Sequence, residues 1–221
     1  MTAVDVVTPA ARPRARGTPV QRQLEEMMLA GRLEAGGKLD ETALAGRLGV
    51  SKRPVREAIF ALAEAGLVRL HKHRGAFVRE ISIVEADEIY ELRAAFDRMA
   101  GRRLARAIRP DQLAGLRAIV DRMRACASAG DLARYHAENL RFHDALICYA
   151  GNAKLAQVYR RLVNELSLFR RRALDAPRRA AASTREHARI VELIAAGDAD
   201  AAGDALDEHA MASRARLHAC S

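Results

Sequence analysis

The apolar positions of this chain recur mostly at three and four residues, and the points where that period breaks divide it into parts. Val20, Leu24, Met27 and Met28 share a face ahead of Gly31, with Thr18 and Pro19 supplying an N-cap and a first-turn proline. Gly36-Gly37 turns the chain, and Leu39 to Leu48 predicts a second helix with Leu44, Ala45 and Leu48 on one side. Gly49 stops it, because glycine accepts the positive backbone angle of a sharp exit. Ser51 is placed to cap a third helix through its hydroxyl, and Pro54 is tolerated in the first turn. Val55, Ile59 and Leu62 then repeat at i, i+4, i+7, opposite Lys52, Arg53 and Arg56. After Gly66 the period shortens to a partial alternation, Leu67-Val68-Arg69-Leu70. Gly75 permits a turn and Ala76-Phe77-Val78 returns, which predicts a hairpin with His71-Lys72-His73-Arg74 at its tip.

From Ile83 onward only long helical stretches follow. Ile89, Leu92, Phe96, Met99 and Leu104 trace one, which Pro110 interrupts; Asp111 is a candidate cap for the next, with Leu113, Leu116, Val120 and Met123. Gly130-Asp131 opens a helix with Tyr135, Phe142 and Leu146, and Gly151-Asn152 separates it from one with Leu155, Val158, Tyr159, Leu162 and Leu166. Ser183 or Thr184 is expected to open another, and Gly197-Asp198 turns into the last. The predicted fold is mostly α: a three-helix unit with a hairpin wing, then an antiparallel all-α helical bundle of six helices.

Composition narrows the function. Half of the 221 residues are hydrophobic, enough for two modest cores, and no apolar run is long enough to span a bilayer. Residues 1–17 hold Arg12, Arg14, Arg16, Pro9 and Pro13 without an apolar core segment, and are expected to form a disordered basic arm on a cytoplasmic protein. Cys126, Cys148 and Cys220 are too widely spaced for a disulfide framework or a thiolate zinc site. The formal net charge of +9 and pI near 10.2 suit a polyanionic partner.

Two short helices joined through Gly-Val-Ser, the second opening with cations, have the form that enters a major groove by its N-terminal end. From Arg47 to Arg56 there is no acid, and the wing tip is basic as well. The stretch GRLEAGGKLDETALAGRLGVSKRPVREAIFALAEAGLVRLHKHRGAFV resembles the winged helix-turn-helix of the bacterial GntR family of transcription regulators, with LGVS, PVREA, GLV and RGAFV in register over residues 18–79. The resemblance implies contacts to double-stranded DNA from Ser51, Lys52, Arg53 and Arg56, and from the wing at His73, Arg74 and Gly75. Thr42 stands where a basic residue is common in that family's second helix, which leaves the operator sequence open.

In the second part, residues 80–221, polar side chains interrupt the apolar faces. Asn139 and His143 are four apart on one helix. His187 lies ten residues before Gly197 and His209 eleven after Asp198, so a fold-back at that glycine brings both imidazoles to similar heights. Three imidazoles and an amide oxygen suit a borderline divalent cation such as zinc or nickel, although a histidine on an apolar face is more often a core residue; His136, on the same face as His143, competes for the role. From about Ile83 to Leu217 the chain is similar to the FCD ligand-sensing domain of the FadR subfamily, most clearly at LRFHDAL, AGN, STREHARIVELIAAGD and the final EHA. That resemblance implies a metal held by Asn139, His143, His187 and His209, with Asn139 in place of a frequent aspartate, and Arg93 facing the pocket. Neutral ligands leave the ion's charge uncompensated, so a small organic acid is the expected effector, with Arg93 as a bidentate anchor. The sequence therefore predicts a homodimeric, metabolite-responsive regulator, a repressor in most relatives, that reads a palindromic operator. A metal-dependent enzyme built on the histidines, and a nonspecific nucleic-acid-binding protein using charge alone, are the rivals. No GxSxG or HExxH pattern supports the enzyme.

Overall fold

A computed structural model describes residues 17–169 and 177–219 of the chain. The basic arm, apart from Gly17, and Cys220 lie outside the described residues. The first helix, α1 (Pro19–Leu29), begins as its sequence predicts, with Thr18 Oγ1 accepting from the Gln21 amide at 3.2 Å. Asp40 caps α2 (Glu41–Leu48) by accepting from the amides of Thr42 at 2.7 Å and Ala43 at 3.0 Å. That cap fixes the helix start two residues later than expected, because Lys38 and Leu39 are extended and form β1 (Lys38–Leu39). β1 pairs antiparallel with β3 (Gly75–Val78), which also pairs with β2 (Val68–His71), so the wing is a three-stranded sheet of order β1-β3-β2. Gly49 leaves α2 at φ 66°, and α3 (Lys52–Glu64) follows. Ser51 occupies the N-cap position of α3, but its hydroxyl makes no capping bond, contrary to expectation. Leu24, Met27, Leu44, Val55, Ile59, Leu62, Leu67 and Val78 close the core of this unit. Each such fully buried aliphatic side chain is worth roughly 1.5–3 kcal/mol relative to exposure.

The remaining helices are α4 (Ile83–Ala107), α5 (Pro110–Ala129), α6 (Leu132–Tyr149), α7 (Ala153–Phe169), α8 (Pro177–Ala195) and α9 (Ala199–His218). They form the expected all-α bundle around Leu104, Leu116, Met123, Phe142, Leu146, Ile190, Ile194 and Leu206. Several boundaries differ from the sequence reading for identifiable reasons. Asp111 sits inside the first turn of α5, whose start is closed instead by Gln112 Oε1 accepting from the Arg109 amide at 3.0 Å. Ser183 and Thr184 are buried within α8 and do not open it; Thr184 Oγ1 donates to the Ala180 carbonyl at 2.8 Å.

On α4 the apolar stripe drawn through Leu92 and Met99 is turned outward; the buried face runs through Ala86, Ile89, Tyr90, Arg93, Ala94, Asp97, Ala100 and Leu104. Small residues win that face because α9 packs very closely on it. A Cβ built on Gly101 would meet Leu206 Cδ1 at 2.6 Å and the Ala202 carbonyl oxygen at 2.8 Å. On the facing helix a Cβ on Gly203 would meet Arg102 Cγ at 2.8 Å.

The two units share a boundary made by α7. Leu168 packs against the core of the N-terminal unit, while Leu166 joins Ile81, Ile89, Tyr90 and Leu217 in a separate cluster. Asn164 Nδ2 donates to the carbonyl of Ala65, the C-cap of α3, at 3.0 Å. Arg79, which follows β3, pairs with both Glu85 of α4 and Glu165 of α7.

In a solvated helix, Gly101→Ala would gain stability through helix propensity. Here the added methyl meets a backbone oxygen that cannot move cheaply, so a net loss of about 1–3 kcal/mol is expected in urea unfolding at pH 7.

Candidate functional site

Three helices bring one imidazole each to the same point inside the bundle. His143 comes from α6, His187 from α8 and His209 from α9, and a ligating nitrogen from each lies within 4.8 Å of the others. All three are buried, with His143 Nε2 3.4 Å from His187 Nε2 and the His187 and His209 ring centroids 4.3 Å apart. The fold-back at Gly197, which has φ 77°, is what sets the α8 and α9 histidines level. Asn139 is buried one turn before His143 on α6, and half-buried His136 is not among the converging three.

Glu186 orders the cluster from behind. His209 Nδ1 donates to Glu186 Oε2 at 2.6 Å, and Arg216 donates to the same carboxylate at 2.8 and 3.0 Å. A carboxylate on Nδ1 fixes the tautomer and leaves Nε2 with its lone pair, the state a metal requires. Burial, helped by the charge of Arg93 and opposed by Glu186, pushes the His209 pKa down to about 4, so the ring is neutral near pH 7. Burial favours the neutral form of Glu186, yet its hydrogen bonds from His209 and Arg216 prevail and hold it at about 2. Three buried, mutually close imidazoles with an orienting carboxylate behind His209 fit a divalent cation. A groove beside α8 and α9 is lined by Glu186, Arg189, Glu208 and His209.

Arg93 stands on the other side of the histidines. Its side chain has no exposed surface, so it is neither the solvent-facing charge a helical arginine usually is nor an open pocket wall. Arg93 Nη2 lies 3.0 Å from His143 Nε2 and 3.2 Å from Nδ1; a guanidinium only donates, so a ring nitrogen offers it a lone pair. Arg93 Nε donates to Tyr159 Oη at 3.0 Å and pairs with Asp97 Oδ2 at 3.2 Å, while Tyr159 Oη donates to Asp97 Oδ1 at 2.8 Å. The rings of Tyr90 and Tyr159 each lie 6.0 Å from its Cζ. Burial works against the charge, but Tyr159, Asp97 and Tyr90 outweigh it and raise the pKa, so Arg93 stays cationic. Its Nη1 has no hydrogen-bond acceptor among the described residues. Sequence reading identified Arg93 and the histidines but not Tyr159 or Glu186. Glu186 directly precedes His187 and the Tyr159 hydroxyl sits in an apolar stripe, so only the adjacency of the first was a signal.

The seven residues expected to meet DNA are all exposed. Ser51, Lys52, Arg53 and Arg56 stand on the first two turns of α3 or at its cap, and His73, Arg74 and Gly75 form the wing tip, where His73 has φ 61°. Two of the three cations of α3 are paired, although no acid lies between Arg47 and Arg56 in the sequence. Arg53 Nε donates to Glu57 at 2.9 Å, and Arg56 is held bidentately by Glu41 of α2.

Comparison with known proteins matches residues 17–78 to the model of bacterial regulatory proteins of the gntR family, and residues 88–212 to the FCD domain. The chain belongs to the GntR family of transcription regulators and carries an FCD domain. It is similar to a Paenarthrobacter nicotinovorans protein named "Probable D-xylose utilization operon transcriptional repressor", at 30% identity over 92% of this chain and 91% of that one. It also resembles the "Gluconate operon transcriptional repressor" of Bacillus licheniformis, at 27% identity over 69% of this chain and 63% of that one. Among solved structures, E. coli McbR/YncC has the same fold, with TM-score 0.79, 22% identity and coverage of 90% and 95% of the two chains. The metal-free FCD domain of TM0439 covers 62% of this chain and 94% of its own at TM-score 0.52 and 21% identity. This GntR protein is thus a transcription regulator, and no helix among its described residues is long and apolar enough to cross a membrane.

Removing Asp97's charge leaves a buried, permanently charged guanidinium. Asp97→Asn is expected to cost about 3–5 kcal/mol in denaturant unfolding. Acid acts through His209: the unfolded ring protonates near 6.5 and the folded one only near 4, so the unfolded chain gains protons first. Stability of the chelator-treated protein should fall by about 1 kcal/mol per pH unit between pH 6.5 and pH 4, as read from unfolding midpoints.

Proposed function

We propose that this regulator is a metabolite-responsive repressor. It binds a two-fold operator as a homodimer and senses a small organic acid beside a divalent metal, zinc or nickel, held by His143, His187 and His209 with Asn139 as a fourth donor. The observation that carries the reading is the convergence of three buried imidazoles with a buried guanidinium whose Nη1 lacks an acceptor among the described residues. Asp97 balances Arg93, and the histidines add no negative charge. A bound divalent ion would supply a Lewis-acidic centre of uncompensated charge there, which favours an anionic ligand. Arg93 Nη1 would donate to that anion's carboxylate, and Tyr159 and Asp97 keep the fork from swinging away.

Helix α7 supports a route from that pocket to DNA. Tyr159 bonds Arg93 at one point of the helix, and five residues further Asn164 holds the C-cap carbonyl of α3. A displacement of the Arg93–Tyr159 pair therefore bears on the helix that carries Lys52, Arg53 and Arg56. One such helix reads few base pairs, and two copies are needed to read half-sites about one turn apart. The exposed apolar residues Val84, Leu92 and Met99 lie on one face of α4, which supports that face as the surface joining two copies.

Isothermal titration of zinc-loaded protein with sugar acids and dicarboxylates should find a binder, and prior chelation should abolish the signal. Binding unaffected by chelation contradicts the metal reading. Asn164→Ala should leave operator affinity within about threefold of wild type but blunt its loss on adding that binder, as followed by DNA fluorescence anisotropy. Leu92→Glu with Met99→Glu should convert a dimeric species to monomer in light scattering.

A further inference from the structure

The Glu41–Arg56 pair asks for an explanation that charge does not give. Glu41 is an acid at the start of α2, brought against the basic first turns of α3, on the face expected to approach a polyanion. It weakens general attraction to DNA there. It is also not the loose surface pair that Arg53 makes with Glu57 one turn along the same helix, where the side chains are 88% and 59% exposed and one nitrogen is engaged. Arg56 reaches across to another helix and donates three times to one carboxylate: Nε to Oε1 at 3.1 Å, Nε to Oε2 at 2.9 Å and Nη2 to Oε2 at 2.7 Å. The Glu41 side chain is 31% exposed and the Arg56 side chain 59%. The contact holds Glu41 in its ionised form: the Arg56 hydrogen bond lowers its pKa despite partial burial.

A guanidinium has two usable edges, and the pairing shows which is spent. Glu41 takes the side edge, Nε with one hydrogen of Nη2. The end edge, Nη1 with the other hydrogen of Nη2, makes no bond among the described residues. Two parallel donors at that spacing match the O6 and N7 acceptors that guanine presents in the major groove, and no other base offers two acceptors there. An arginine without a brace must lose its rotamer freedom on binding, and a floppy one also reaches phosphates, which carry no sequence. We propose that Glu41 is a positioning residue that turns Arg56 into a fixed guanine reader, so that each half-site of the operator carries a guanine selected by this pair. Thr42, next to Glu41, cannot supply a bidentate contact of its own, which leaves Arg56 as the braced arginine of the two-helix motif. The inference rests on the reading that α3 enters the major groove.

The test uses the full-length protein and a randomised duplex library. Wild type is used to select an operator, and every position is then replaced by each of the other bases and scored by competition anisotropy. Arg56→Ala should lower affinity for the selected site at least tenfold and erase the preference at one position of each half-site, which should be a guanine. Glu41→Gln, with Glu41→Ala as a second variant, should reduce discrimination at that same position about tenfold. Both should leave preferences elsewhere intact and hold or raise affinity for unselected DNA, because an acid has been removed. A merely structural role for Glu41 would lower affinity for both classes of DNA together. If Arg56→Ala leaves the selected-site affinity unchanged, the groove-facing reading of α3 is wrong. If Arg56→Ala has its effect but the Glu41 variants keep wild-type guanine preference, or the base lost is not guanine, the positioning role alone is overturned.

Discussion

A guanidinium with no exposed surface cannot discharge itself, since arginine keeps its proton under any condition a cell meets, and its environment must therefore be built around the charge. In this regulator Arg93 is met on one side by Asp97 and Tyr159 and on the other by a histidine that can only accept from it. The consequences spread outward from there. The cation helps keep His209 neutral, Glu186 behind His209 sets its tautomer, and one ring nitrogen from each of the three histidines lies within 4.8 Å of the others. Buried polar networks of this kind are stable only when nearly every member is answered, so Arg93 Nη1, a donor with no acceptor among the described residues, stands out.

The architecture that holds this network is a close one. Gly101 and Gly203 let α4 and α9 approach until a methyl group would not fit, which brings His209 alongside the face of α4 that carries Arg93. Helix α7 then contributes the Tyr159 hydroxyl to the network and, near its far end, Asn164, Glu165 and Leu168 to the DNA-reading unit. A Cβ on Gly66 would come within 3.0 Å of Arg161 and Glu165 side chains, so the exit of α3 is fitted to α7 as tightly as its entry is fitted to α2. Few independent adjustments are open to a helix held at both ends.

Much of this was legible in the sequence because it depends on local spacing. The face of α3 through Val55, Ile59 and Leu62, the exit at Gly49, and the equal heights of His187 and His209 about Gly197 all follow from helical periodicity. What was missed depends on which neighbour a face meets. Leu92 and Met99 have the hydrophobicity of core residues, yet α9 needs glycine and alanine opposite it, so they are turned outward. Leu39 lies between two glycines and a helix cap, and only the partner strand β3 makes it a strand residue. Glu41 and Arg56 are fifteen residues apart on different helices, and Tyr159 is sixty-six from Arg93. Periodicity on a single helix cannot pair such residues. Even for Asp97, four residues from Arg93, spacing alone does not tell a buried pair from a surface pair, because burial is set by the bundle.

The central claim is that a buried cation beside the histidine cluster receives an acid and thereby alters DNA binding. It is tested most directly by removing that cation without unbalancing the core, using Arg93→Gln together with Asp97→Asn. Zinc-loaded wild type and this double variant would be compared by anisotropy on labelled operator DNA while sugar acids and dicarboxylates are titrated in. The account predicts that an acid releasing the wild-type protein from DNA leaves the variant bound across the same range. Equal release of both proteins by that acid would contradict it.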